Sequence, residues 1–292
     1  MKKIISIIVM VGLIMGILPA AAAASAQEVV SLGANLTAQQ RAEILDFFGV
    51  DENEVEIIQV TNQEMRQYFG GIVPEKQLGT TAYSSAHVTL TPKGSGINVK
   101  TYNIGWVTKE MYANVMVTAG IEDADVVVTA PFQVSGVSAL TGITKAFEHA
   151  TGKKLDEDAK KTASEELVIT IDLAEEVGKE KAADFMRDVK EEVIKEKIKE
   201  PEEIKEVVKR IAVEHKITLD EDQLQKIVEL LQKISQLDLD FDRISSQLDK
   251  IYKKVDEIKD VVKDKQGIIQ KILNSLNNFI EWIKAKIAEI AG

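Results

Sequence analysis

The sequence predicts an α+β protein in which a small sheet with packed helices is followed by an all-α, helical-bundle or coiled-coil-like tail. Fourteen of the 17 glycines and four of the five prolines lie at or before Gly152. After it, 60 of 140 residues are charged, as is typical of solvated helices. We therefore predict four segments: a signal peptide (1–26), a mixed α/β domain (27–152), a helical region (153–236) and a heptad-patterned helical tail (237–292).

Helices of the mixed domain are predicted from their start signals. Thr37 with Gln40 and Thr61 with Glu64 have the spacing of capping boxes, in which each side chain satisfies the other residue's backbone N–H. The first helix should end at Gly49, since glycine is favoured just past a helix end. Thr108 is expected to cap a third helix, and a fourth should run from about Val137 to Ala150.

Short β-branched runs predict the strands. They cover residues 55–60, 82–90, 97–104 and 126–128, giving the order α-β-α-β-β-α-β-α. The turn-rich segment 91–96 joins the second run to the third, so these two are predicted to pair as a hairpin.

From Leu155 onward the chain has helical periodicity. Breaks are expected near Gly178, at Pro201 and at 218–220, where Thr218 and Glu221 have capping-box spacing.

A 3.5-residue apolar repeat then extends over nine heptads from Ile227 to Ile290. Two solutions remain open. One is a long coiled coil with a second copy or a partner, and the other is an antiparallel hairpin folded at 264–267, where Lys265 and Gly267 interrupt the pattern.

The final helix, predicted for 268–290, is amphipathic and carries five charged residues with a net charge of +1. Its apolar face is wider than a coiled-coil seam needs, which is a feature of partner-docking helices and, alternatively, of helices that contact a membrane surface. Packing as one more helix of the bundle explains the same pattern. The candidate partner-binding residues are Ile269, Ile272, Leu276, Phe279, Trp282 and Ile283.

The first 26 residues have the pattern of a secretory signal peptide. Two lysines precede an apolar run over 4–18, and a small-residue stretch ends Ala24-Ser25-Ala26. Cleavage is expected between Ala26 and Gln27, which predicts a secreted, extracytoplasmic protein. About 15 apolar residues are fewer than the roughly 20 that a membrane-spanning helix needs.

Composition excludes several functional classes. The chain has no cysteine, so disulfides, thiolate nucleophiles and cysteine-ligated metals are ruled out. The three histidines are widely spaced, and we expect neither a metal nor a cofactor. Residues 27–152 carry 7 basic against 14 acidic residues, and residues 153–292 carry 27 against 33. This acidity argues against nucleic-acid binding, which requires phosphate neutralisation.

The turn 134–142 is the candidate ligand site. It follows a predicted strand and opens a predicted helix, whose free N–H groups favour an anion. Ser135, Gly136 and Ser138 are the candidate ligand-binding residues. Catalysis is not expected, because the segment lacks a P-loop lysine and His149 lies about 16 Å from Ser138 along the helix. A structural turn is the competing interpretation.

Two further features are interpreted as structural. The carboxylate pairs 165–166, 175–176 and 191–192 lie in lysine-rich helices and are predicted to be solvated. Four aromatic residues of the first domain could line one groove, although core positions explain them equally well: Tyr83, Tyr102, Trp106 and Tyr112.

Four segments resemble the YpuA-like family of predicted secreted proteins from Gram-positive bacteria. They are SLGANLT (31–37), VTKEMY (107–112), TAG (118–120) and VSGVSALTG (134–142). The family is grouped under a domain of unknown function, so the resemblance implies a cell-envelope setting but no catalytic residue or cofactor.

Two functional hypotheses follow. The first is a non-enzymatic envelope protein that binds a protein partner, with self-association of the heptad tail as an open alternative. The second is an extracellular ligand- or anion-binding or hydrolytic domain that uses the 134–142 turn.

Overall fold

The computed structural model describes residues 27–73, 78, 80–238 and 246–248. The predicted signal peptide and terminal helix lie outside these ranges. Five strands form one mixed sheet: β1 (Glu28–Gly33), β2 (Glu56–Val60), β3 (Ser85–Leu90), β4 (Ile97–Thr101) and β5 (Ala124–Thr129). The described helices are α1 (Ala38–Phe48), α2 (Asn62–Phe69), α3 (Lys109–Thr118), α4 (Val137–Thr151), α5 (Glu157–Val177), α6 (Lys179–Lys195), α7 (Pro201–Glu214) and α8 (Glu221–Gln236). The predicted small sheet with packed helices is confirmed.

The strand order is β2-β1-β3-β5-β4, and it overturns the predicted hairpin. β3 pairs antiparallel with β1 and β5, whereas β4 pairs only with β5 and runs parallel to it. β5 therefore separates the two strands that were expected to pair. Its nearly continuous apolar run suits an interior strand, because such a strand packs on both faces. β1 itself was not predicted.

The helix starts follow local capping chemistry. Thr37 and Thr61 form the predicted capping boxes, and the Thr108 side chain accepts a hydrogen bond from the Met111 N–H. Gly49 ends α1 with φ of 70°, a left-handed conformation that glycine adopts without steric penalty. Local sequence therefore determines most helix boundaries in the sheet domain.

The sheet lies between helical layers. Val30 and Leu32 of β1 pack against α1 on one face, and Val29 belongs to the larger core on the other. α4 packs on β1 and β3 over that second face, beside α3. α5 and α6 in turn pack on α3, whose residues from Met111 to Thr118 are all buried. One continuous apolar core thus joins the sheet to the helical region.

The start of α8 differs from the prediction. Asp220, and not Thr218, is the N-cap: its carboxylate accepts from the Gln223 N–H at 2.7 Å, and the Gln223 side chain accepts from the Asp220 N–H at 3.0 Å. A carboxylate satisfies the free N–H groups and also interacts favourably with the positive end of the helix dipole. Pro201 is the first residue of α7, as predicted.

The first heptad positions pack within the chain itself. Ile227, Leu230 and Ile234 are buried in the main core, and α8 ends at Gln236. Further along, Leu248 is fully buried, and the Gln247 amide donates to Asp123 Oδ1 at 3.3 Å. Residues 246–248 therefore anchor the start of the tail on the sheet domain. The later heptad positions lie outside the described residues. Among the described helices, none is long and apolar enough to cross a bilayer.

A fully buried ion pair joins α3, α5 and α6. Lys190 Nζ lies 2.7 Å from Glu166 Oε1, and both side chains are 1% exposed. Lys190 also donates to the Asn114 carbonyl at 2.7 Å and to Thr118 Oγ1 at 3.0 Å, and Thr118 donates to Glu166 at 2.5 Å. Burial lowers the pKa of Lys190, and the nearby Glu166 carboxylate opposes that effect. The prediction that Glu166 is solvated is therefore wrong.

A second charged cluster fixes the α4–α5 connection. Glu148 accepts from Lys160 Nζ at 3.0 Å, from Lys154 Nζ at 3.0 Å and from the Leu155 N–H at 2.9 Å. Burial alone would raise the pKa of Glu148, but these hydrogen bonds outweigh it and lower the pKa. The carboxylate therefore holds the linker against α5.

Candidate functional site

A cavity of about 180 Å³ lies at the edge of the sheet where β1, β4 and β5 end and β3 begins. In open α/β sheets this carboxyl edge is the usual position of ligand sites. Its lining combines apolar, aromatic and hydroxyl-bearing side chains: Met65, Val73, Leu78, Thr81, Tyr83, Ser84, Trp106, Val134, Ser135, Val137 and Ser138.

The parallel pairing of β4 and β5 continues into the loops that follow these two strands, and it places Trp106 beside the 134–142 turn. The Val134 N–H donates to the Asn103 carbonyl at 3.0 Å, and the Gly105 N–H donates to the Val134 carbonyl at 2.7 Å. The Trp106 N–H then reaches the Ser135 carbonyl at 3.2 Å. The indole ring is thereby held at the rim, where Trp106 is 40% exposed.

The three candidate residues of this turn separate into two groups. Ser135 and Ser138 line the cavity, whereas Gly136 is buried and is not one of the lining residues. Gly136 has φ of 93°, and its carbonyl accepts from the Tyr112 hydroxyl at 2.5 Å. A Cβ there would lie 2.6 Å from that hydroxyl and closer still to Ile104. Gly136 is therefore required by the shape of the turn.

Tyr112 supports the turn from within the core. Its ring is fully buried, and burial raises the pKa of its phenol far above the usual value. The hydroxyl consequently stays protonated and keeps donating to the Gly136 carbonyl.

The remaining aromatic residues lie around the same edge of the sheet. Tyr83 lines the cavity and packs edge-on against Phe132 with ring centroids 5.0 Å apart. Tyr102 packs against Phe47 with centroids 4.9 Å apart. The groove anticipated for four aromatic residues is therefore lined by two of them, Tyr83 and Trp106.

Five residues of the cavity lining were not predicted from the sequence. They are Ser84, Thr81 and the apolar wall formed by Met65, Val73 and Leu78. Ser84 directly precedes β3 and is 5% exposed. The strand was predicted to cover 82–90, so Ser84 was placed within it and not directly before it. The proximity of residues 80–85 to the 134–142 turn depends on the β3–β5 pairing, which was not predicted.

Each histidine is paired with a carboxylate away from the cavity lining. His87 contacts Glu28, His149 contacts Glu56 and His215 contacts Asp188, all at 2.7 Å. In the part of the chain that the structure describes, no group of three acidic or histidine side chains is placed to hold a metal ion. The cavity offers hydroxyl hydrogen bonds, free N–H groups at the start of α4 and apolar contact.

The family described as "Protein of unknown function (DUF1002)" matches residues 32–251, which is three quarters of the chain. The chain belongs to this family. A relative from Bacillus subtilis (strain 168), described as "Uncharacterized protein YpuA", is 40% identical over 209 residues, covering 71% of this chain and 72% of the relative. The predicted YpuA-like resemblance is therefore confirmed. No solved structure matches the chain.

The DUF1002 segment contains the whole cavity lining and the anchor at 246–248. It ends at residue 251, so the candidate partner-binding residues of the final helix lie beyond it. The cavity and the final helix are therefore separate candidates for function within one chain.

Proposed function

We propose that this DUF1002 protein is exported and acts outside the cytoplasmic membrane as a non-enzymatic binding protein. The observation that carries the proposal is the cavity at the carboxyl edge of the sheet, with a lining that is uncharged among the described residues and an exposed tryptophan at its rim. The leader sequence supports export.

The chemistry of the cavity favours binding over catalysis. Ser135 and Ser138 would need a neighbouring base to act as nucleophiles. His149, on the same helix, is hydrogen-bonded to Glu56, and it lies about three helical turns from Ser138. Hydroxyl groups beside apolar walls instead suit a ligand that is held by shape and hydrogen bonds.

Exposed aromatic rings around this edge support a protein partner. Phe47, Tyr102, Trp106 and Phe132 are each between 40% and 48% exposed. Aromatic residues are enriched at protein interfaces and contribute much of the binding energy there. A cavity of about 180 Å³ is below the usual range for drug-sized ligands, so we infer that it receives one residue-sized group of the partner.

The tail provides a second proposed surface. Its sequence favours a helical, heptad-patterned segment that ends in an amphipathic helix, with Phe279 and Trp282 on the docking side and membrane-surface contact as the less favoured role. Light scattering on the purified protein separates the two tail arrangements: a monomer supports an intramolecular hairpin, and a dimer supports self-association through the heptads.

Export is tested by sequencing the amino terminus of the protein recovered from outside the cytoplasm. We expect it to begin at Gln27. Recovery of the protein only from the cytoplasm, with Met1 retained, would refute export.

Binding is tested in cells with a photo-crosslinking residue at Phe132, which packs on the cavity-lining Tyr83, and at Val213 as the control. Val213 is 76% exposed on α7, distant in sequence from the cavity lining. We expect a discrete crosslinked product from position 132 that position 213 does not give. Identical products from both positions, or none from position 132, would contradict a binding role for this edge.

A further inference from the structure

We propose that the cavity binds the carboxyl-terminal residue of a peptide, with the free carboxylate at the start of α4 and an apolar side chain against Met65, Val73 and Leu78. This assignment rests on the proposed binding function and names the ligand class of the same site.

The start of α4 supplies the carboxylate half of the site. α4 is 15 residues long, and its N-cap, Gly136, has no side chain to cap the helix. The N–H groups of Val137 and Ser138 make no hydrogen bond to other described residues, and both residues line the cavity. Free N–H groups at the positive end of a helix dipole form a binding site for an anion.

Ser84 provides an independent indication of a ligand. It is 5% exposed and lines the cavity, yet its hydroxyl has no hydrogen-bond partner among the residues described. The Ser84 hydroxyl therefore keeps a donor and an acceptor that a ligand or a water in the cavity can satisfy. Ser135 and Ser138 bring two more hydroxyls to the same lining.

The apolar wall identifies which carboxylate fits. Met65, Val73 and Leu78 are buried side chains, and they line the same small cavity as the start of α4. In a peptide, an apolar side chain and a carboxylate share one Cα only at the carboxyl terminus. Capture of a terminal carboxylate by backbone N–H groups is an established mode of peptide recognition.

The chain offers a direct optical assay. It contains two tryptophans, so W282F leaves Trp106, at the rim of the cavity, as the sole indole. The full-length W282F protein is titrated with N-acetyl-Gly-Gly-Leu carrying either a free carboxylate or a carboxyl-terminal amide. We expect a saturable change in Trp106 emission with the free acid and affinity for the amide at least about fivefold weaker, because the amide lacks the charge that the helix end favours.

Two matched variants locate the carboxylate. S138D should fold stably, since an acidic residue is favourable in the first turn of a helix, but its charge should weaken free-acid binding at least about tenfold. S138N has nearly the same shape as S138D but no charge, so free-acid binding should be at least about tenfold weaker for S138D than for S138N. S84A should weaken the free acid several-fold while leaving the circular dichroism spectrum unchanged.

Equal affinity for the free acid and the amide would overturn the carboxylate assignment and leave the proposed binding function standing. If acetate changed the Trp106 emission as much as the free-acid peptide does at the same concentration, the assignment of an apolar side chain to the cavity would be overturned. The proposal would also be overturned if S138D bound the free acid as tightly as S138N, or if neither peptide changed the Trp106 emission. In that case the crosslinking experiment at position 132 still tests the proposed binding function independently.

Discussion

The buried Lys190–Glu166 pair gives the sharpest test of how the helical region is held on the sheet domain. Replacing Lys190 with Met leaves the Glu166 carboxylate, 1% exposed, without its cation. Removing one partner of a buried ion pair typically destabilises a protein by about 3–5 kcal/mol. With an unfolding entropy of about 2.1 cal/mol/K per residue, a domain of about 200 residues should lose roughly 7–12 °C in Tm.

Lys233 provides the matched control for this substitution. Its Nζ lies 2.8 Å from Glu165, the residue next to Glu166, but the Lys233 side chain is half exposed. Lys233→Met should therefore change the free energy of unfolding by at most about 1 kcal/mol. The double variant Lys190→Met/Glu166→Met should recover at least about 2 kcal/mol of the single variant's loss, because no unpaired charge stays buried.

Urea unfolding followed by circular dichroism measures all of these variants. If Lys190→Met lost no more stability than Lys233→Met, the pair would not be holding the interface. If the double variant were as unstable as the single one, lost packing would be the cause and not the unpaired charge.

Three further predictions concern the turn, the tail anchor and pH. Gly136→Ala should lower the free energy of unfolding by about 2–4 kcal/mol, because the positive φ and the contacts described above both oppose a Cβ. Gly152→Ala, with φ of 66° and open space around it, should lower it by about 1 kcal/mol. Equal losses in urea unfolding would argue against a steric constraint at the turn. Leu248→Ala should lower the free energy of unfolding by about 2–5 kcal/mol, because it removes a buried side chain. Ser246→Ala, on the exposed side of the same segment, should change it by under about 0.5 kcal/mol. Similar values for the two variants would mean that the segment does not pack on the core. Glu148 has a lowered pKa in the folded state, so its contribution to stability is fully present above about pH 4.5 and is lost as the pH falls through the folded pKa. Glu148→Gln should therefore be less stable than the parent protein at pH 7 but lose less stability between pH 5 and pH 3. Parallel curves of stability against pH for the two proteins would contradict this.

Local chemistry made the helices of the sheet domain predictable from sequence. A capping box involves two residues three apart, so Thr37 and Thr61 define helix starts without any tertiary information. Gly49 ends α1 and Pro201 begins α7 through their own backbone preferences, which likewise need no tertiary contact. Two of the three predicted ligand-binding residues, Ser135 and Ser138, also line the cavity, because the strand-to-helix turn that holds them is a local feature.

Long-range pairing was not predictable from the same signals. The turn-rich segment 91–96 correctly predicts a reversal between β3 and β4, but only the later insertion of β5 shows that they are not neighbours. Glu166 lies one helical turn from Ala163 and Thr170 on the buried stripe of α5, and this spacing could have revealed its burial. The lysine-rich surroundings instead suggested solvation, since the cation that pairs with it comes from another helix.

The position of β5 also constrains the order in which a nascent chain acquires structure. A growing chain that has reached Thr101 carries four strands, but β4 has no neighbour until β5 has been synthesised. At about 5–20 residues per second, the interval between the ends of β4 and β5 lasts roughly 1–6 s. Throughout that time β3 presents an unpaired edge, so amino-terminal fragments that end before Ala124 should resemble an incomplete sheet prone to mispairing.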